Sequence, residues 1–165
     1  MFEIAAFGLY WLWLAFGATD FFLHRKTDLP ATSGLAESAL HGAQLCCIGL
    51  GVVAWLTLAN TRSLAALLLG LAGVHVFMAY ADTSSADGKR RITPAEQHIH
   101  SVLDACPWIF AVGCAWLAEP SWSFRWEPKP IATWTLLLVP AVLMTGMPWA
   151  FEIAAVWRYR QRRSL

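Results

Sequence analysis

Five apolar stretches dominate the sequence, near residues 4–24, 36–58, 63–82, 95–118 and 131–157. Each is long enough to cross a bilayer as a helix, which takes about 20 residues. In lipid every backbone N–H and C=O must be satisfied internally, so runs of this length can only be helices. The expected fold class is therefore an all-α integral membrane protein. A single transmembrane helical-bundle domain is expected over 1–165, with no repeat and no linker. Composition agrees: charged residues are 14% of the chain and hydrophobic ones 58%, whereas a soluble domain carries about 25% charged residues. A net charge of +1 is too small an electrostatic footprint for a nucleic-acid partner. The first stretch has Glu3 where a signal peptide would carry basic residues, and it offers no A-x-A site, so it is read as a retained span.

Basic residues set the expected orientation. One set of loops and ends holds nine of them: Arg25, Lys26, Lys89, Arg90, Arg91, Arg158, Arg160, Arg162 and Arg163. The opposite set holds three: Arg62, Arg125 and Lys129. The positive-inside rule then places the N-terminus outside and the C-terminus in the cytoplasm. A turn at Asn60–Thr61–Arg62 makes spans two and three a hairpin, and the segment Trp122–Trp126 falls at the outer interface. Cys46, Cys47, Cys106 and Cys114 all lie inside spans and are read as free thiols.

The few remaining charges are not scattered. On this topology all five histidines, His24, His41, His75, His98 and His100, fall in the cytoplasmic half. So do Asp20, Glu37, Asp82, Glu96, Asp104 and Glu152. Residues four apart share a helix face. Asp20/His24 and Glu37/His41 have that spacing, Glu96/His100/Asp104 repeat it, and Gln44 extends the second stripe. His75 and Asp82 are seven apart, again on one face. An ionisable group inside a span costs about 2.5–3.5 kcal/mol, so roughly six of them cost on the order of 10 kcal/mol unless they meet partners. Imidazole and carboxylate together are a ligand set for iron, manganese or zinc. The expected metal ligands are His41, His75, His100, Glu37, Glu96, Asp104, Asp20 and His24.

Several residues have a competing structural role. Thr93–Pro94–Ala95–Glu96 reads as a capping box with Pro at the first helical position. His98 lies about 200° round the helix from His100, so the two cannot line one narrow site on a regular helix. Asp82 also suits a helix end, Glu152 could pair with Arg158, and Tyr80 suits the membrane interface. These four and Gln44 are weaker candidates. Lys89, Arg90 and Arg91 carry the positive-inside signal and could also hold an anionic headgroup. Trp108 and Trp149 lie within about a turn of Asp104 and Glu152 and could wall the site.

Four helices that present carboxylate and histidine stripes inward resemble the di-iron carboxylate proteins, which place Glu and Glu-x-x-His ligands on four helices. The spacing here is i, i+4 instead of i, i+3, so the likeness is one of chemistry. It implies a membrane-embedded di-metal oxidoreductase with two metal ions, iron first and zinc or manganese as alternatives. The substrate would be a lipid or other hydrophobic small molecule entering from the cytoplasmic leaflet, and electrons would come from a cytoplasmic donor. Membrane lipids are the surrounding partner, and an oligomer is compatible with the sequence. A zinc hydrolase, a haem electron-transfer protein and a non-catalytic subunit are the alternatives. Haem ranks lower because it does not explain a carboxylate beside each histidine. Transport ranks lower because the outer halves of the spans hold few polar groups.

Overall fold

The computed structural model describes residues 2–164. Among these, the chain is helical almost throughout. The helices are α1 (Phe2–Lys26), α2 (Gly34–Thr57), α3 (Arg62–Ala86), α4 (Pro94–Trp116), α5 (Ile131–Ala141) and α6 (Met147–Arg163). A π-helical turn, Val142–Gly146, joins α5 to α6, so 131–163 is one long helical segment. Five helical segments of the described residues are long and apolar enough to cross a membrane.

The helix starts follow from local chemistry. Thr61 caps α3 by accepting from Leu64 N at 3.4 Å. Both halves of the capping box on α4 are present: Glu96 N donates to Thr93 Oγ1 at 3.2 Å, and Thr93 N donates to Glu96 Oε2 at 3.4 Å. Two turns use left-handed backbone at glycine, Gly34 (φ 58°) entering α2 and Gly88 (φ 70°) leaving α3, where a Cβ would be strained. Pro140 cannot donate a backbone hydrogen bond, and the π turn follows directly after it. Proline and π turns are recognised causes of helix bending.

Two helices run at least four residues past the ends of their expected spans. α3 runs to Ala86 instead of ending at 82, and α6 runs to Arg163 instead of 157. Hydropathy marks where lipid ends, whereas a helix continues while its backbone bonds do. Ser85 Oγ donates to Asp82 O at 2.9 Å and Asp87 N to Thr83 O at 3.0 Å within that extension. Asp82 therefore lies a turn inside α3.

α1 packs on α4, α2 on α3 and α6, and α3 on α4. One apolar core joins Trp55, Leu64, Leu68, Ala111 and Leu137 across four of these elements. A second forms around Trp13, Leu14 and Cys106. The four cysteines are free thiols. The 117–130 segment is laced to the α2–α3 turn. Ala59 N donates to Arg125 O at 2.9 Å, Arg62 N to Ser121 O at 3.0 Å and Glu127 N to Thr57 O at 2.9 Å. Arg125 bridges Glu119 at 2.8 Å and Glu127 at 3.2 Å. The Glu119 hydrogen bonds hold the Arg125 guanidinium above its ordinary range, and Arg125 holds Glu119 below its own.

Candidate metal centre

The helix faces read from the sequence meet around His24, which is 1% exposed. Its Nε2 lies 3.6 Å from Asp20 Oδ1, one turn earlier on α1. The same atom lies 3.6 Å from Glu37 Oε1 of α2 and 3.4 Å from Glu96 Oε1 of α4. His24 Nδ1 lies 3.4 Å from Glu152 Oε2 of α6. The His41 ring stacks on His24 with centroids 4.6 Å apart and planes 7° from parallel. His41 Nδ1 is 2.8 Å from Glu152 Oε1, and its Nε2 is 3.4 Å from Asp82 Oδ2 of α3. His100 Nε2 is 3.1 Å from Asp20 Oδ1. Every long helical segment thus contributes a side chain. Phe21 stands edge-on to His41, with centroids 5.6 Å apart.

Two sets of donor atoms each lie within 4.8 Å of one another: Asp20, His24, Glu96 and His100 in one, and His24, Glu37 and His41 in the other. Metal–ligand bonds of about 2.1 Å in tetrahedral or octahedral geometry put neighbouring ligand atoms about 3.0–3.4 Å apart. The separations around His24 Nε2 are at or just above that range. Asp82 Oδ1 is buried without a hydrogen bond, and His24 Nδ1, His41 Nε2, Glu96 Oε1 and Glu152 Oε2 are buried with only ion-pair contacts of 2.5–3.4 Å. A polar donor atom buried in this way is costly unless something pairs with it. The donor set fits a metal.

Arg90 enters the cluster from the α3–α4 connection. Its Nη2 is 2.5 Å from both Glu37 Oε1 and Glu96 Oε1 and 3.3 Å from His24 Nε2. Burial works against its charge, but the hydrogen bonds to Glu37 and Glu96 outweigh this and hold Arg90 above its ordinary range. Ser33 donates to Glu37 Oε2. Glu96 is both cap and cluster member, since Oε2 takes the Thr93 N–H while Oε1 faces Arg90 and His24. The two roles use different oxygens.

The other candidates separate. His75 is buried but lies off the cluster, with Nδ1 3.8 Å from Asp104 Oδ1. Depth separates it from Asp82: seven residues on one face are about 10 Å along the axis. The Asp104 side chain is 40% exposed. His98 is exposed, as are Lys89 and Arg91, so the basic triplet divides and only Arg90 turns inward. Tyr80 is 75% exposed and Trp108 38%. Gln44 is half-buried. Trp149 packs over Gly42, and its Nε1 donates to Ser38 O at 2.8 Å. Arg90 as a buried counter-charge and Ser33 as a donor to Glu37 were not legible as such. The only signal was a basic triplet and a serine, each of which has a simpler reading. No protein-family model, no curated protein and no solved structure matches the chain.

Proposed function

We propose that the chain is a membrane-embedded metalloenzyme that holds two metal ions, iron first, and oxidises a lipid or other apolar substrate. In this reading the site opens to the cytoplasmic leaflet, with the N-terminus outside and the C-terminus in the cytoplasm, as the basic-residue bias favours. The charge balance of the cluster carries the proposal. Asp20, Glu37, Asp82, Glu96 and Glu152 converge with His24, His41 and His100, and Arg90 is the permanent cation among them. Five carboxylates against one guanidinium leave four negative charges when the histidines are neutral. Two divalent cations cancel that charge. Neutralisation matters here because uncompensated charge away from water is costly.

Asp20, His24, Glu96 and His100 would hold one ion, and Glu37 and His41 the other, with Glu152 and Asp82 beside His41. Arg90 Nη2 lies between Glu37, Glu96 and His24 and supplies the fixed positive charge there. Iron in an imidazole and carboxylate set supplies oxygen-activating redox chemistry, fed by electrons from a cytoplasmic donor. The protein's own part is to fix the donors. Ser33 orients Glu37, the capping box orients Glu96, and Phe21 covers the edge of His41.

Elemental analysis of the purified full chain tests this. About two irons per chain are expected. His24→Ala, which belongs to both donor sets, should lose most of the metal, while His98→Ala should retain it. A single zinc would favour the hydrolase reading. A second reading rests on Arg90: the cluster is then a metal-free ion-pair network that ties the helices together. Absence of stoichiometric metal after growth with iron, zinc and manganese would select it.

A further inference from the structure

The two ends of the bundle hold their basic residues differently. At the end that carries the 117–130 segment, Arg125 bridges Glu119 and Glu127, and Lys129 Nζ lies 3.5 Å from Glu3 Oε1. At the end nearer His24, only Arg90 is paired with acids. Arg25 and Lys26 of α1 are exposed, as are Lys89 and Arg91 of the α3–α4 connection. So are Arg158, Arg160, Arg162 and Arg163 of α6. Among the described residues, none of these eight takes part in an ion pair. Two sit over rings instead: Lys26 over Phe22 at 4.3 Å, and Arg163 over Tyr159 at 5.4 Å. The exposed acids at that end are Asp28 and Asp87. The positive-inside bias accounts for the number of cations, but acids contribute little to it. It therefore does not require cations without acid partners, and the opposite end shows that this chain can pair them.

Half of the unpaired cations stand on α6. Trp157, 57% exposed, marks the end of that helix's apolar length, and the helix continues through Arg163. At 1.5 Å per residue, Arg158 to Arg163 covers about 8 Å. That is about one Debye length at physiological ionic strength, so all four guanidinium groups stand within reach of a charged membrane surface. At 100° per residue the four spread over an arc of about 200°. The other four cations belong to two further elements. A protein partner needs its contacts on one face, whereas a layer of headgroups meets cations that point in many directions.

We infer that this end of the bundle binds the phosphate headgroups of anionic phospholipids, with the four α6 arginines carrying most of the attraction. A guanidinium suits a phosphate because its planar fork can donate two parallel hydrogen bonds to it. Clusters of basic residues just beyond a span attract anionic lipids, roughly fivefold for each cation near the surface. The inference uses the membrane-spanning helices and the unpaired charge. It needs neither the metal nor the reaction, and it applies to whichever leaflet this end faces.

Electron spin resonance of the full chain in phosphatidylcholine vesicles tests the inference. Spin-labelled phosphatidylglycerol or phosphatidylcholine is added in trace amounts, and the motionally restricted fraction gives the association of each lipid with the protein. Phosphatidylglycerol should be favoured by roughly threefold or more. Replacing Arg158, Arg160, Arg162 and Arg163 together by Gln should cut that preference by about twofold or more. Replacing the same four by Lys keeps the charge and should keep most of the preference. Arg62→Gln with Lys129→Gln, at the opposite end, should leave it unchanged. Salt at about 1 M shortens the Debye length to about 3 Å and should remove most of it. Glycerol 3-phosphate in solution, added at constant ionic strength, should not displace the lipid; displacement would assign the cations to a free phosphate and overturn the inference. Circular dichroism checks that each variant is folded. If the fourfold Gln variant is not, the pairs Arg158→Gln/Arg162→Gln and Arg160→Gln/Arg163→Gln are read instead, and each should lose part of the preference. Equal association of the two lipids overturns the inference and leaves the cations to a soluble acidic partner. A preference that survives the Gln substitutions overturns the role of α6.

Discussion

Replacing Gly42 by alanine probes how α6 is seated on α2. A Cβ at Gly42 would lie 2.6 Å from Trp149 Cζ2, 2.8 Å from Cε2 and 3.0 Å from Nε1. Carbon atoms in contact prefer about 3.5–4.0 Å, so the indole must retreat by about 1 Å. Overpacking of this kind costs about 1–3 kcal/mol. Retreat also stretches the 2.8 Å bond from Trp149 Nε1 to Ser38 O, worth about 1 kcal/mol. Against this, alanine improves on glycine in a helix by about 1 kcal/mol. The net expectation is a loss of about 1–3 kcal/mol. Gly49→Ala is the control: its Cβ meets nothing within 4 Å, so it gains the helix preference alone. Denaturant unfolding in micelles measures both. In the Gly42→Ala background, Trp149→Leu should relieve the clash, giving a coupling of about 1–2 kcal/mol in a double-mutant cycle. If Gly42→Ala and Gly49→Ala unfold within about 0.5 kcal/mol of each other, the seating argument is wrong.

Arg90→Ala leaves Glu37 and Glu96 without their counter-charge and should destabilise the metal-free protein by about 3–5 kcal/mol in the same unfolding assay. Lysine should restore only part of this, because its ammonium cannot reproduce the guanidinium's simultaneous bonds to both carboxylates. If the cluster holds metal, chelation should lower stability by about 2.7 kcal/mol when free metal beforehand was a hundredfold above its Kd; an unchanged melting curve would count against a bound ion. Gly88→Ala forces a left-handed turn on a residue with a Cβ and should cost about 1–2 kcal/mol, read by thermal unfolding. Gly73→Ala, where a Cβ has open space, should not.

Much of this arrangement was legible because lipid leaves so few options. Apolar length gave the spanning helices, and i, i+4 spacing gave Asp20/His24, Glu37/His41 and Glu96/His100, all of which meet around His24. The capping box was legible from four residues because it is a local structure. Three features were not. His75 shares a face with Asp82, but face says nothing about depth, and its neighbour is Asp104. Arg90 looked like any other loop cation, since nothing local indicates that a chain reversal at Gly88 carries it inward. Glu152 is central to the pairing of His24 and His41, yet its sequence gave it only a weak claim. Which way it faces depends on how α6 is rotated relative to α5, and the intervening π turn alters that rotation.

That turn has a further consequence. A π turn is an α-helix with one residue more than its period allows, and each residue advances the helix by about 100°. Val142–Gly146 therefore acts as a phase shifter between two lengths of the same span. Wound as a regular α-helix, the same sequence would turn α6 by about 100°, and Phe151 would occupy the position that now presents Glu152. The acid would move to the place of the half-buried Ile153, and an aromatic ring would abut the two stacked imidazoles. The charge of the cluster thus depends on the winding of a segment that contributes no ligand to it.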